Sequence, residues 1–166
     1  MAAAKTLSLI GSAIKRKKLS CMNTLSEILI AVNTLIFTLL STLHIYWAFG
    51  GKRGSTAVIP TVDENQPAFM PGKFITLVVA SGLFLFALIT VGHYGVFNDF
   101  IEYRYFKYAI WTIIVIFLLR AVGDFNRIGF SKKVKRTAFA DNDTKIYSPL
   151  CLYLGTSSFI IWLSAT

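Results

Sequence analysis

Between Ile28 and Phe49 the chain carries no charged residue when His44 is neutral, and a run of that length and polarity has few environments that suit it. A bilayer core about 30 Å thick is crossed by roughly 20 mostly apolar residues rising 1.5 Å each. Four stretches meet or approach that length: about Leu25 to Phe49, Phe74 to about Tyr94, Tyr105 to Val122, and Pro149 to Ala165. A soluble helix would show a charged face, which the first stretch lacks. Backbone groups in lipid must be satisfied within their own segment, so these stretches are helices rather than open strands. The sequence therefore predicts an all-α, four-helix transmembrane bundle, with residues 22–166 as one domain behind a basic amino-terminal tail, residues 1–21. Charged residues make up only 15% of the chain, against roughly 25% in soluble domains, which fits a multi-pass membrane protein.

The net charge of +9 does not point to nucleic acid, because the bases cluster in the tail and the loops, notably Lys15 to Lys18 and Lys132 to Arg136. The expected partners are the lipid bilayer and its anionic headgroups, with a homodimer or a membrane-protein partner as further options. Residues 1–26 hold five bases and no acid, and the cluster follows the first apolar run, unlike a secretory signal. The segment reads as a cytosolic or interfacial tail, with a start at Met22 or an organelle address as alternatives. Assigning Lys107 and Arg120 to their nearer sides gives seven Lys or Arg on the tail side and ten on the other. This count favours a cytoplasmic position for the first and third loops.

Cys21 precedes the first span and Cys151 opens the fourth, on opposite membrane sides, so no disulfide joins them. Tyr46 and Trp47 anchor one end of the first span, and Tyr103, Tyr105, Tyr108 and Trp111 the start of the third. Ser148 and Pro149 read as the N-cap and first position of the fourth helix. Its 17 residues reach only about 25 Å, which suggests a locally thinned bilayer or a place inside the bundle.

At about 100° per residue, Asn33, Thr34, Thr38, Ser41 and His44 share one half of the first helix, with Phe37 the exception among them. Val32, Leu35, Ile36, Leu39, Leu40, Leu43 and Trp47 occupy the lipid half. The polar half predicts interhelical hydrogen bonds, or a cavity in which His44 handles a proton or ligand. Ser148, Cys151, Gly155 and Ser158 recur at intervals of three and four, a seam for close helix packing rather than a setting for a nucleophilic Cys151.

Arg120, Asp124 and Arg127 at i, i+4 and i+7 present a plus, minus, plus face near membrane depth. They form either a structural Arg120–Asp124 pair or an anion site. Gly50 to Gly54 lacks the spacing of a phosphate loop, and Asp141 to Asp143 lacks that of a calcium loop. No metal site is expected, and the sequence names no cofactor. His44, Trp47, Arg120, Asp124, Arg127, Asp143 and Tyr147 should converge on one membrane face, and they form the candidate ligand-binding set; no catalytic residue is assigned.

YWAFGG at Tyr46 to Gly51, Pro60, LLRAVGDF at Leu118 to Phe125 continuing to Gly129 and Phe130, and DTKIYSPLCL at Asp143 to Leu152 carry a resemblance. On these residues the chain resembles a bacterial family of small four-helix membrane proteins of unknown function, over residues 22–166. The resemblance implies the architecture and a cell-membrane location, and no activity. Three function classes remain. A binding module would take a lipid headgroup, small anion or partner at the face of the first and third loops. A small membrane enzyme would act on a lipid-like or quinone-like substrate with His44 as acid or base. A small-solute or proton transporter is weakened by the absence of an inverted repeat.

Overall fold

The computed structural model describes residues 2–51, 53, 61–63, 66–67, 72–97, 99–123 and 142–164, with backbone alone for residues 2–23 and the two short strands. Helix α1 runs Ala2–Ala48, α2 Lys73–His93, α3 Tyr103–Val122 and α4 Ser148–Ser164, the last entered through a π turn at Asp143–Tyr147. In the first loop, β1 (Thr61–Asp63) pairs antiparallel with β2 (Gln66–Pro67), Thr61 opposite Pro67 and Asp63 opposite Gln66. Four segments are long and apolar enough to cross a membrane: Thr24–Ala48, Lys73–His93, Tyr103–Val122 and Asp143–Ser164. The fold is the expected all-α four-helix bundle.

Two boundaries differ from expectation. The α1 backbone already begins at Ala2, so the basic segment continues the first spanning helix instead of standing apart from it. The fourth span starts at Asp143, so Ser148 is a buried interior residue and not an N-cap. Pro149 explains the widened turn, since proline has no N–H to give an α-helical bond and its ring crowds the carbonyl four residues back. With the π turn included, the fourth span covers 22 residues, about 33 Å at helical rise, and needs no thinned bilayer.

The helices alternate in direction around a ring. Contact is most extensive between α1 and α2 and between α3 and α4, while α1 against α4 and α2 against α3 close the circle. On α1 the buried positions Ser26, Ile30, Asn33, Phe37, Ser41 and Ala48 recur at helical spacing, and Leu35, Leu39 and Leu43 face outward, where hydrocarbon would cover them. Phe37 is no exception to this inward face: it is the bundle's centre. Its ring meets Phe86 at 5.8 Å and Phe117 at 5.4 Å, and those two meet at 5.9 Å, so three helices share one aromatic layer.

The polar residues of α1 divide by direction. Asn33, 0% exposed, gives its amide N–H to Ser157 Oγ at 2.9 Å and reaches Ser158 Oγ at 3.5 Å; the Ser157 hydroxyl faces Asn33 Oδ1 at 3.0 Å. Ser41 donates to the Ala80 carbonyl at 2.8 Å. Asn33 thus ties α1 to α4, and Ser41 ties it to α2. Thr38 and Thr42 instead point outward and donate to the carbonyls of Thr34 and Thr38, both at 2.8 Å, a bond made within the helix. On α4 the seam Ser148, Cys151, Gly155 and Ser158 is buried as expected. A Cβ at Gly155 would lie 2.8 Å from Leu118 Cδ2, so α3 and α4 approach as closely as glycine permits.

Candidate functional site

Local backbone chemistry shapes the end of the bundle where α1 and α3 finish and α2 and α4 begin. Helix α1 closes in a Schellman motif: Gly50 N–H donates to the Trp47 carbonyl at 3.0 Å and Gly51 N–H to the Tyr46 carbonyl at 3.0 Å, with Gly50 at φ 93°. This accounts for the paired glycines of YWAFGG. The Trp47 indole N–H then donates to the Arg53 carbonyl at 2.9 Å and folds the turn back over the helix end. Helix α3 ends at Gly123, whose φ of 83° and ψ of −173° are open to glycine alone, and whose N–H donates to the Leu119 carbonyl at 2.8 Å.

Arg120, in the last turn of α3, reaches across to the π turn, where its Nη2 lies 3.1 Å from Asp143 Oδ1. The carboxylate is fully buried, while the arginine side chain is 33% exposed. A π turn brings residues five apart over one another, and Ser148 accordingly donates its hydroxyl to Asp143 Oδ2 at 3.2 Å. One carboxylate oxygen is thus committed to the guanidinium and the other to a hydroxyl. Arg120 Nη1 is buried and meets no acceptor among the described residues. Tyr147 and Cys151 lie within electrostatic reach of Asp143, and Cys151 also within reach of Arg120.

The expected set is brought together in part. Arg120, Asp143 and Tyr147 form one cluster, and the cluster adds Ser148 and Cys151 to it. Arg120 forms an ion pair with Asp143, 23 residues on; Asp124 and Arg127 lie outside the described residues, as do Lys52, Gly54 and Lys132 to Arg136. His44 and Trp47 form a second group at the same end, their rings 5.0 Å apart. His44 Nδ1 is 2.7 Å from the Leu40 carbonyl, and a carbonyl only accepts, so Nδ1 is the donor in this bond. The hydrogen bonds and ring contacts of His44 and Trp47 do not extend to Arg120 or Asp143.

At the opposite end of the bundle the sequence offers Tyr103 and Trp111 as interfacial anchors, and His93 joins them without having been singled out. His93, 6% exposed at the end of α2, has Nε2 3.2 Å from the Tyr103 hydroxyl at the start of α3, and its ring adjoins the Ile161 backbone on α4. One turn along, the Lys107 ammonium lies 5.8 Å from the Trp162 ring, which meets Trp111 at 5.1 Å. This is a polar staple across three helices flanked by an interfacial aromatic group. Its sequence signal was a histidine closing one apolar run and a tyrosine opening the next.

Chemically, the Arg120 cluster offers a fixed guanidinium with donor capacity to spare, next to a carboxylate already engaged. Such an arrangement suits recognition of an oxygen-bearing group. Among the described residues no group of three or more His, Cys, Asp or Glu is placed to hold a metal ion. The Cys151 thiol is free and buried.

No curated protein and no solved structure matches the chain. A family model does, over residues 37–158, a range that takes in the Schellman turn, the Arg120–Asp143 pair, the π turn and the Asn33 partners on α4. That match covers nearly three quarters of the sequence, and the chain belongs to the family described as protein of unknown function (DUF3995).

Proposed function

We propose that this membrane protein is a binding module for an anionic group, a lipid headgroup or a small anion, at the end of the bundle formed by the first and third loops. The observation that carries the reading is the buried Arg120 Nη1, a charged donor with no acceptor among the described residues. A buried polar group left unmatched costs about 1–3 kcal/mol, more when charged, and an oxygen from outside the bundle would offset that cost. The surrounding charge supports it. On this side the described helix ends carry Lys73, Arg120 and Lys145 against Asp143, and Arg53 stands on the turn after α1. Bases at the edge of a membrane span attract anionic headgroups by about 1 kcal/mol each. Trp47 and Tyr46, at the same level, are side chains that favour the headgroup zone.

The test is retention of phosphatidylglycerol against the uncharged lipid monoolein by detergent-purified protein, read by native mass spectrometry. Arg120→Ala would take the compensating guanidinium away from the buried Asp143 carboxylate, so the informative variant is Arg120→Lys, which keeps the charge and loses the spare donor. Retention of phosphatidylglycerol should fall roughly tenfold in Arg120→Lys, the weight of a charged hydrogen bond of about 1.5 kcal/mol. Equal retention by wild type and variant, or none by wild type, would defeat the proposal.

A further inference from the structure

We infer that Asp143 makes the Arg120 site selective for a singly charged phosphodiester over a doubly charged phosphomonoester, an inference that rests on the anion-binding reading of that site. The ligand chemistry is the phosphodiester, whether in a lipid headgroup or in a soluble molecule.

The carboxylate is an immovable part of the site. It is 0% exposed, its Oδ1 is 3.1 Å from Arg120 Nη2, and its Oδ2 accepts the Ser148 hydroxyl at 3.2 Å. The π turn sets this geometry, because the i to i+5 stacking of Asp143 under Ser148 holds the side chain inward. An anionic oxygen accepting from Nη1 would lie nearer the guanidinium carbon than the carboxylate, with about 5 Å between the two negative groups. A first negative charge therefore gains from the guanidinium and from the rim bases Lys73 and Lys145, which are exposed. A second negative charge on the same phosphate feels only the same weak field, which Asp143 has reduced by offsetting the Arg120 charge, while the cost of taking the ion out of water rises faster than its charge. Phosphomonoesters carry about −1.5 to −2 near pH 7, with a second ionisation near pH 6, whereas diesters stay at −1. The site thus distinguishes the two by charge rather than by shape.

The experiment compares phosphatidylglycerol with phosphatidic acid on the full chain in detergent, by native mass spectrometry, at pH 8 and pH 5. At pH 8 phosphatidylglycerol should be retained about tenfold more strongly, and at pH 5, where the monoester loses its second charge, the two should approach parity. Asp143→Asn keeps an acceptor for Ser148 and removes the charge, so the preference at pH 8 should vanish with phosphatidic acid gaining. If that variant does not fold, the wild-type pH series decides alone. Competition by glycerophosphoglycerol and glycerol 3-phosphate separates the sources: competition with the same order of preference assigns the soluble group, and no competition assigns the lipid, both in keeping with the inference. Phosphatidic acid held as tightly as phosphatidylglycerol at pH 8, with Arg120→Lys still weakening both, would overturn the selectivity and spare the site. Loss of neither lipid in Arg120→Lys would overturn the underlying reading.

Discussion

Removing the buried amide of Asn33 should cost less than removing the small hydroxyl it bonds. In Ser157→Ala the fully buried amide keeps only Ser158 Oγ at 3.5 Å, the outer limit of a hydrogen bond, and its Oδ1 loses its donor. Interhelical bonds in membranes average about 0.6 kcal/mol with a maximum near 1.7, and an orphaned buried polar group costs about 1–3 kcal/mol, so a loss of about 1–2 kcal/mol is expected. In Asn33→Leu the outcome differs, because the Ser157 hydroxyl already lies 3.3 Å from the Leu154 carbonyl and can turn to it. Leucine is close to asparagine in shape, so packing is largely kept and the change should stay within about 0.5 kcal/mol. Reversible unfolding in dodecylmaltoside by titration with sodium dodecyl sulfate, followed by circular dichroism, measures both. An Asn33→Leu variant as unstable as Ser157→Ala, or more so, would refute the argument that the hydroxyl has a second acceptor.

Three further predictions concern glycines in the same assay. Gly155→Ala would place a methyl 2.8 Å from Leu118 Cδ2 and 3.3 Å from its backbone nitrogen, so about 1–3 kcal/mol should be lost; Gly82→Ala, with nothing within 4 Å, should be neutral or gain up to about 1 kcal/mol from helix propensity. Gly123→Ala forces a side chain into φ 83° and ψ −173° and should cost about 1–3 kcal/mol, read as a lowered unfolding midpoint.

The spans were legible because membrane thickness is a length filter that the sequence meets four times. What periodicity could assign was direction within a single helix, and it did so for Asn33 and Ser41. It could not separate Thr38 from them, because a threonine that satisfies itself on the preceding turn looks the same in sequence as one that bonds a neighbour. Phe37 looked out of place only because a polar face was taken to be uniformly polar; in the bundle, aromatic and amide layers stack along one inward face. The Arg120–Asp143 pair lies beyond that pattern for a similar reason. Helical spacing finds neighbours on the same helix, whereas Asp143 is positioned by a π turn whose cause, Pro149, was visible and was read as a helix start. His93 and Tyr103 are ten residues apart on two helices, beyond any single-helix pattern.

The uneven packing of the ring bears on biogenesis. Two helical hairpins, α1 with α2 and α3 with α4, each bury most of their contact internally, so each is a natural unit for insertion through a translocon. Assembly then becomes the docking of one preformed pair on another. The matching of Asn33 to Ser157, together with the Phe37 ring set between Phe86 and Phe117, acts as the key that registers the second pair on the first. Co-expression of two fragments divided between α2 and α3 should accordingly rebuild the bundle.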